Sequence, residues 1–389
     1  MSYPPISETA LNTTIRANAY EPYYSYKSSL DLYDIHQFTN GHPFSTYDEL
    51  RENSPIYFQN PPEWDVEPGA WMLTSYKDIM EVSSNPSIFS SQAATGNLIT
   101  LGDPETRHPK LWQTSIDHML NLDGSFHLDL RREHMPFFKP GYVDDLHKKV
   151  EIKVETLLDA IAKVGKSNLV KDISQQIPIF TLSEVLGIPE EDRHKLATWM
   201  EFLELAQYFA AENMKQTQGK AEEMEVDTSM IELFENMIGE MFEYGKHILQ
   251  EKRLNPKNDL LSAIANAELD GAKLSQEYLD GSWLLIIFAG NDTTRNSISG
   301  AIKLLTEFPE QKKKLLNNFD LLPNFAQETI RMISPVIHMR RTTTCETTLG
   351  NQKLGKGEKV IMWYGAANRD PSIFSNPNAF DIERENAVK

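Results

Sequence analysis

Trp283-Leu284-Leu285-Ile286-Ile287-Phe288-Ala289 runs directly into Gly290-Asn291-Asp292-Thr293-Thr294-Arg295. The apolar run reads as buried helix. An acid beside two threonines and a glycine is out of place at its centre unless something there needs protons. A threonine hydroxyl in a helix can bond the carbonyl four residues back. It can instead point into a cavity, where Gly290 leaves room and Asp292 can relay protons from solvent. Working outward, Ser275 is a suitable N-cap and Pro309 ends the pattern, so the spacing predicts one helix over 275–308. Its roughly 32 helical residues span about 48 Å at 1.5 Å per residue. Gly281, Gly290 and Gly300 lie inside it, each costing about 1 kcal/mol against alanine. Their presence predicts close approach of another body to the helix backbone.

The rest of the chain frames this helix. Residues 143–164 and 173–186 carry helical periodicity and stop at Gly165 and Gly187. Residues 190–250 read as Met- and Glu-rich helix, with an acidic connection near 222–227. Short β runs are expected at 56–58 and 71–74, as a hairpin, and at 339–348 and 359–364. Residues 1–45, with Tyr20, Tyr23, Tyr24 and Tyr26, read as an N-terminal surface segment, and 46–389 as one domain. The fold class is therefore mainly α with small β-sheets. A net charge of −18 argues against a generic nucleic-acid binder. No run reaches the roughly 18 apolar residues of a membrane span. The single cysteine, Cys345, excludes intrachain disulfides and suits a reducing cytoplasm.

Two further patterns are weak alone. Glu328 and Arg331 share a helix face at three-residue spacing, which on most helices is a surface ion pair worth under ~1 kcal/mol. Phe380-Asp381-Ile382-Glu383-Arg384 follows Asn368-Arg369-Asp370-Pro371 and reads as a turn-rich loop with aromatic anchors.

In this order and at these distances, the patterns resemble the cytochrome P-450 superfamily of haem-thiolate monooxygenases, over about residues 45–389. Ala289, Gly290, Asp292, Thr293 and Thr294 match the run that the family's central helix carries over its haem. The resemblance implies the cytochrome P-450 fold. It gives Thr293 the role of hydrogen-bonding dioxygen and Asp292 that of delivering protons. Ala289 and Gly290 are implied to lie against the cofactor, haem b (iron protoporphyrin IX). Glu328 and Arg331 match the family's Glu-x-x-Arg pair and Arg384 its meander arginine, implying a buried cluster of one Glu and two Arg. His127 and Arg131 match a pair that holds the haem propionates, although Asp129 stands where many relatives carry another Arg. Arg341 matches a third propionate ligand, with Arg340 as its substitute. Ala289, Val336 and Ile337 are implied to line the substrate pocket.

The family's iron ligand is a Cys thiolate in a Gly-rich loop. Arg384 is followed by only five residues, and Cys345 sits in an alternating β pattern without such a loop. The axial cysteine is therefore expected beyond Lys389, with no metal ligand inside the chain, which reads as C-terminally truncated. The implied activity is hydroxylation of a hydrophobic small molecule (a sterol side chain, terpenoid or fatty acid) in the manner of bacterial soluble members. It would use O2 and electrons from a ferredoxin-type donor, since the chain carries no Gly-x-Gly-x-x-Gly fingerprint of its own. The competing reading is a truncated, non-catalytic remnant or a hydrophobic-ligand-binding protein without haem. A cytoplasmic location is expected.

Overall fold

Two apolar runs distant in sequence, Ala70–Leu73 and Lys359–Trp363, lie side by side as parallel strands with Ile361 opposite Met72. Their pairing organises one half of the protein in the computed structural model, which describes residues 2–3, 31–60, 69–92, 114, 117–203, 228–269, 271–385 and 387. The chain divides into two compact units, residues 1–9 with 104–295 and residues 10–103 with 296–389. The fold is mainly helical. In chain order the helices used below are α1 (Phe44–Asn53), α2 (Tyr76–Ser84), α3 (Gly124–His134), α4 (Pro140–Val164), α5 (Gln176–Leu186), α6 (Thr228–Leu254), α7 (Leu260–Asn266), α8 (Gln276–Ala289), α9 (Asp292–Glu307), α10 (Pro309–Asn317), α11 (Leu322–Ile333) and α12 (Tyr364–Ala367). The strands used below are β1 (Ile56–Gln59), β2 (Ala70–Leu73), β3 (Phe89–Ser90), β4 (His338–Thr343), β5 (Thr347–Leu349), β6 (Gln352–Leu354) and β7 (Lys359–Trp363).

In the second unit the strands β1-β2-β7-β4-β3 form one mixed sheet, and β5 pairs with β6 separately. Every residue of β2 and β7 is buried, because both faces of the sheet are covered. Side chains alternate across a strand, so Trp71, Leu73, Val360 and Met362 enter one cluster with Ile79 and Val82 of α2. Ala70, Met72, Ile361 and Trp363 enter the other, with Tyr47 and Leu50 of α1. This two-sided burial explains why the runs are continuously apolar rather than alternating. A third cluster joins Leu304, Leu315 and Met332 of α9, α10 and α11 to Phe380 and Ile382 of the irregular chain that follows. The β run expected over 339–348 is two strands. Cys345 lies exposed in the bend between them, not in a strand.

The first unit is mostly helical, with a small sheet of Ser2–Tyr3, Ala272–Leu274 and Glu268–Leu269, and packs around Trp283 of α8. The indole donates to the Met241 carbonyl of α6 at 3.0 Å and meets Trp199 edge-on and Tyr244 at a tilt, at 6.3 and 5.8 Å between ring centroids. Gly281 of α8 meets the Asp117 backbone so closely that any Cβ would collide with the Asp117 carbonyl. The glycines of this segment do mark close approach. The bodies involved are the protein's own: Asp117 at Gly281, Leu182 at Gly290 and Ile333 at Gly300. Helix α4 ends at Gly165 and α5 at Gly187, both left-handed, where glycine carries no Cβ penalty. The tyrosine-rich stretch at 20–26 and the acidic stretch at 222–227 lie outside the described residues.

Candidate active site

The helix expected to be unbroken over 275–308 is two helices, because α8 ends at Ala289 and α9 begins at Asp292. Gly290 N–H still donates to Ile286 O at 3.1 Å, and Arg295 N–H to Asn291 O at 2.9 Å. Between them the local chemistry competes with the helix. Glycine is a poor helix former, and the Thr293 hydroxyl donates to the Ala289 carbonyl at 3.4 Å, the back-bonding that bends helices. The room expected beside Gly290 is filled by Leu182 of α5, whose Cδ1 would lie 2.8 Å from a Cβ there. Asn291 is buried within the interruption, and its Oδ1 has no hydrogen-bond partner among the described residues.

The segment is also one-sided, where burial on all sides was expected. Trp283, Leu284, Ile287 and Asn291 are buried, whereas Phe288 and Ala289 are exposed. Positions 284, 287 and 291 follow helical spacing along the packed face, which leaves 288, 289, 292 and 293 on another side. Asp292 is not a buried notch either. Its side chain is 45% exposed and pairs with Arg295 (15% exposed) at 3.0 Å. It occupies the first turn of α9, where the helix dipole favours negative charge. An apolar shoulder, Phe288-Ala289, thus leads into a carboxylate and a hydroxyl within a few residues.

Two hydrogen-bond donor side chains sit on α3 of the same unit. His127 and Arg131 are one turn apart and share a face. A carbonyl can only accept, so His127 Nδ1–H donates to Met119 O at 3.0 Å, which fixes the ring and leaves Nε2 as the other ring nitrogen. Arg131 is exposed, and its guanidinium has no partner among the described residues. Arg132, beside it, is engaged by Asp129. In the second unit Arg341 lies half-buried on β4 and donates from Nη1 to Arg340 O at 2.8 Å. It stands near Tyr364, whose phenol burial pushes up and Arg341 pulls down. Arg340 faces the opposite side of the strand and is buried. Val336 is half-buried and Ile337 exposed in the turn before β4.

The second unit also holds Glu328, Arg331 and Arg384 in one buried cluster. Arg331 donates to both Glu328 oxygens, Nε to Oε2 at 2.7 Å and Nη2 to Oε1 at 2.8 Å. Arg384 Nε donates to Oε1 at 3.0 Å, and Asp381 N–H to the same oxygen at 3.1 Å. The remaining guanidinium donors go to carbonyls of the irregular chain. Arg331 reaches Asn368 O and Pro377 O at 2.7 and 2.9 Å, and Arg384 reaches Ser375 O and Ala379 O at 2.7 and 3.0 Å. Buried backbone without helix or sheet needs such donors. The cluster ties residues 368–384 to α11, and it is remote from catalysis in kind: saturated, buried and closed to exchange.

Residues 87–386 match the sequence model of cytochrome P450. The chain belongs to the cytochrome P450 family. Linalool 8-monooxygenase of Pseudomonas putida is 30% identical over 355 residues, which cover 91% of this chain and 83% of that protein. Methyl-branched lipid omega-hydroxylase of Mycobacterium bovis is 30% identical over 369 residues, covering 92% and 78%. Among solved structures, a Mycobacterium marinum cytochrome P450 in complex with pseudoionone aligns with a TM-score of 0.78 at 29% identity, covering 95% of this chain and 86% of that one. The protein is thus an oxidoreductase of the haem-iron monooxygenase family, whose members carry haem b and work with redox partners.

The residues present suit that cofactor in kind. Carboxylate side chains of a porphyrin need hydrogen-bond donors, and His127, Arg131 and Arg341 are donors of that kind. A flat apolar ring needs an exposed apolar surface, which Phe288 and Ala289 offer. Among the described residues no group of His, Cys, Asp or Glu is arranged to hold a metal ion, and no helix is long and apolar enough to cross a membrane. Arg295 and Asn291 escaped the sequence reading. The Asp292–Arg295 spacing equals that of Glu328–Arg331, so the pair was open to the same inference. Nothing in the sequence signals that Asn291 is buried.

Proposed function

We propose that the protein hydroxylates a hydrophobic small molecule of the terpenoid, sterol side-chain or branched-lipid class, using O2 and two electrons from a ferredoxin-type donor. The observation that carries this reading is the apolar shoulder Phe288-Ala289 leading directly to Asp292 and Thr293. The overall change exchanges C–H for C–OH, with the second oxygen atom leaving as water. It consumes two electrons and two protons. Haem b, when bound, supplies the redox-active iron for this chemistry.

Each residue then has a distinct task. His127, Arg131 and Arg341 would each offer a donor to the cofactor's carboxylates, and Ala289 would lie against its ring, whereas Gly290 is packed by Leu182. Ala289, Val336 and Ile337 touch the substrate. Asp292 must take protons from water and pass them inward, which its half-exposed position allows. Thr293 Oγ1 holds a proton beside it and can turn from the Ala289 carbonyl toward the reacting oxygen. Arg295 keeps the Asp292 carboxylate in place. Linalool and pseudoionone, bound or oxidised by two relatives, share an acyclic, methyl-branched skeleton, which favours such substrates here. The free thiol of Cys345 accords with the cytoplasm.

The test is optical titration of the haem-loaded full-length protein with linalool, a sterol and a fatty acid. It is followed by mass analysis of products formed with a ferredoxin and its reductase. A spectral shift and a product heavier by one oxygen atom support the reading. Binding without any oxygenated product under reducing conditions overturns it.

A further inference from the structure

The turn between α11 and β4 is held by hydrogen bonds to both the side chain and the backbone of Ser334. Ser334 adopts a left-handed conformation, φ 47°, which a residue with a Cβ disfavours. Its hydroxyl donates to Arg331 O at 2.9 Å and accepts from Asn368 Nδ2 at 2.9 Å. Its carbonyl is bound by His42 Nε2 at 3.0 Å, from a residue 292 positions earlier in the chain. Because a carbonyl only accepts, Nε2 carries the proton, and Nδ1 faces the Tyr47 hydroxyl at 3.4 Å as acceptor.

The surroundings of His42 are built for this ring. Gly365 of α12 leaves it space, since a Cβ there would collide with Nδ1. Phe44 and Tyr47 flank it at 5.6 and 6.0 Å between centroids. Burial lowers the imidazole pKa; its bonds to the Ser334 and Ile333 backbone oppose this, and the charge of Arg369 adds to it. Burial also lifts the Tyr47 phenol far above its ordinary range. The ring is therefore neutral at pH 7 and the phenol remains a donor. The nearby His338, tilted against Trp363 at 4.8 Å between centroids, is held at about 4 by burial first and by His42 second. Beyond Ser334 come Pro335, Val336 and Ile337, and the Ile337 carbonyl accepts from Tyr364 N–H at 3.1 Å. The segment is thus pinned at both ends, and His42 is the pin at the strained end.

We infer that His42 is a positioning residue: its Nε2–H bond to the Ser334 carbonyl fixes the left-handed turn and so the direction in which Val336 and Ile337 meet the substrate. This inference rests on the substrate-lining role proposed above for Val336 and Ile337.

The experiment compares haem-loaded full-length protein with His42→Ala, Gly365→Ala and His42→Gln. The readouts are amide hydrogen exchange over 336–338 and the linalool dissociation constant. Losing one such bond should speed local exchange about tenfold in His42→Ala and Gly365→Ala, with α11 unaffected. His42→Gln, whose carboxamide N–H can reach the same carbonyl, should stay within about twofold of wild type. Linalool affinity should weaken about tenfold in His42→Ala, with the haem spectrum retained. Unchanged exchange in His42→Ala, or equal exchange in His42→Gln and His42→Ala, overturns the role in the turn. Faster exchange with unchanged linalool affinity overturns the link to substrate. A wild-type protein that shows no spectral response to linalool, a sterol or a fatty acid counts against the substrate-lining reading alone, and the exchange rates still decide the turn.

Discussion

Two acid–arginine pairs in this protein have the same spacing and opposite surroundings. Glu328 and Arg331 are three residues apart on α11, with side chains 0% and 1% exposed. Asp292 and Arg295 are three apart on α9, with side chains 45% and 15% exposed. Helical geometry makes both pairs. What each does depends on everything around it. The first pair gains Arg384, a backbone N–H and several loop carbonyls, so its groups are hydrogen-bonded away from water. The second keeps contact with solvent, sits where the helix is interrupted, and borders an apolar surface. A buried, saturated carboxylate is a structural tie, because it cannot exchange a proton with water at little cost. A half-exposed carboxylate beside a hydroxyl can.

The comparison predicts a separation of stability from turnover. The largest effect is expected from Glu328→Ala, which strands two buried guanidinium groups. Breaking a buried pair on one side costs about 3–5 kcal/mol, so the urea midpoint should fall steeply or the protein should not fold. A midpoint close to that of wild type would mean the cluster does not hold the 368–384 segment. Next in size is Asp292→Asn, which keeps shape and loses the ionisable group. Turnover should fall about a hundredfold, the scale of positioned acid–base catalysis, while linalool affinity stays near wild type. Unchanged turnover would reduce Asp292 to a surface ion pair and erase the contrast with Glu328.

The contrast also shows what the sequence could carry. The mainly helical class, the hairpin expected at 56–58 and 71–74 and found at 56–59 and 70–73, and the stops at Gly165 and Gly187 all rest on local signals such as periodicity and glycine. These survive folding unchanged. The two-sided burial of β2 and β7 was partly visible as continuous apolar runs. Burial around 283–295 was not legible, because seven apolar residues look alike whether one face or all faces are covered. The helix interruption was missed for a related reason. Gly290 and two threonines each weaken a helix slightly, and only Leu182 pressing on one side and solvent on the other decide the outcome. The Glu328 cluster could not be derived from spacing, because Arg384 is 56 positions away. Only the family resemblance suggested it. His42 carried no signal at all, since its partner is 292 positions distant.

The interruption can be probed at Gly290. Adding a methyl group in Gly290→Ala favours helix by about 1 kcal/mol but drives a Cβ into Leu182. Overpacking of this kind costs about 1–3 kcal/mol, so the net change should be destabilising and should largely vanish in the double variant with Leu182→Ala. If Gly290→Ala stabilises the protein in its single form, α8 and α9 are one helix in solution and the interruption has no functional weight.

The smallest effect tests the second pair as an ion pair. An exposed acid–arginine contact contributes under ~1 kcal/mol and is screened within a Debye length of about 10 Å at 0.1 M salt. The stability loss in Asp292→Asn should therefore be slight, and should shrink further between about 0.05 M and about 0.5 M sodium chloride. The loss in Arg384→Gln should hardly change over that range, because its partner Glu328 is sealed from ions. Urea midpoints at the two salt concentrations decide the matter. Equal salt dependence in the two variants would show that burial does not separate the pairs. The assignment of structural work to one and proton handling to the other would then lose its physical basis.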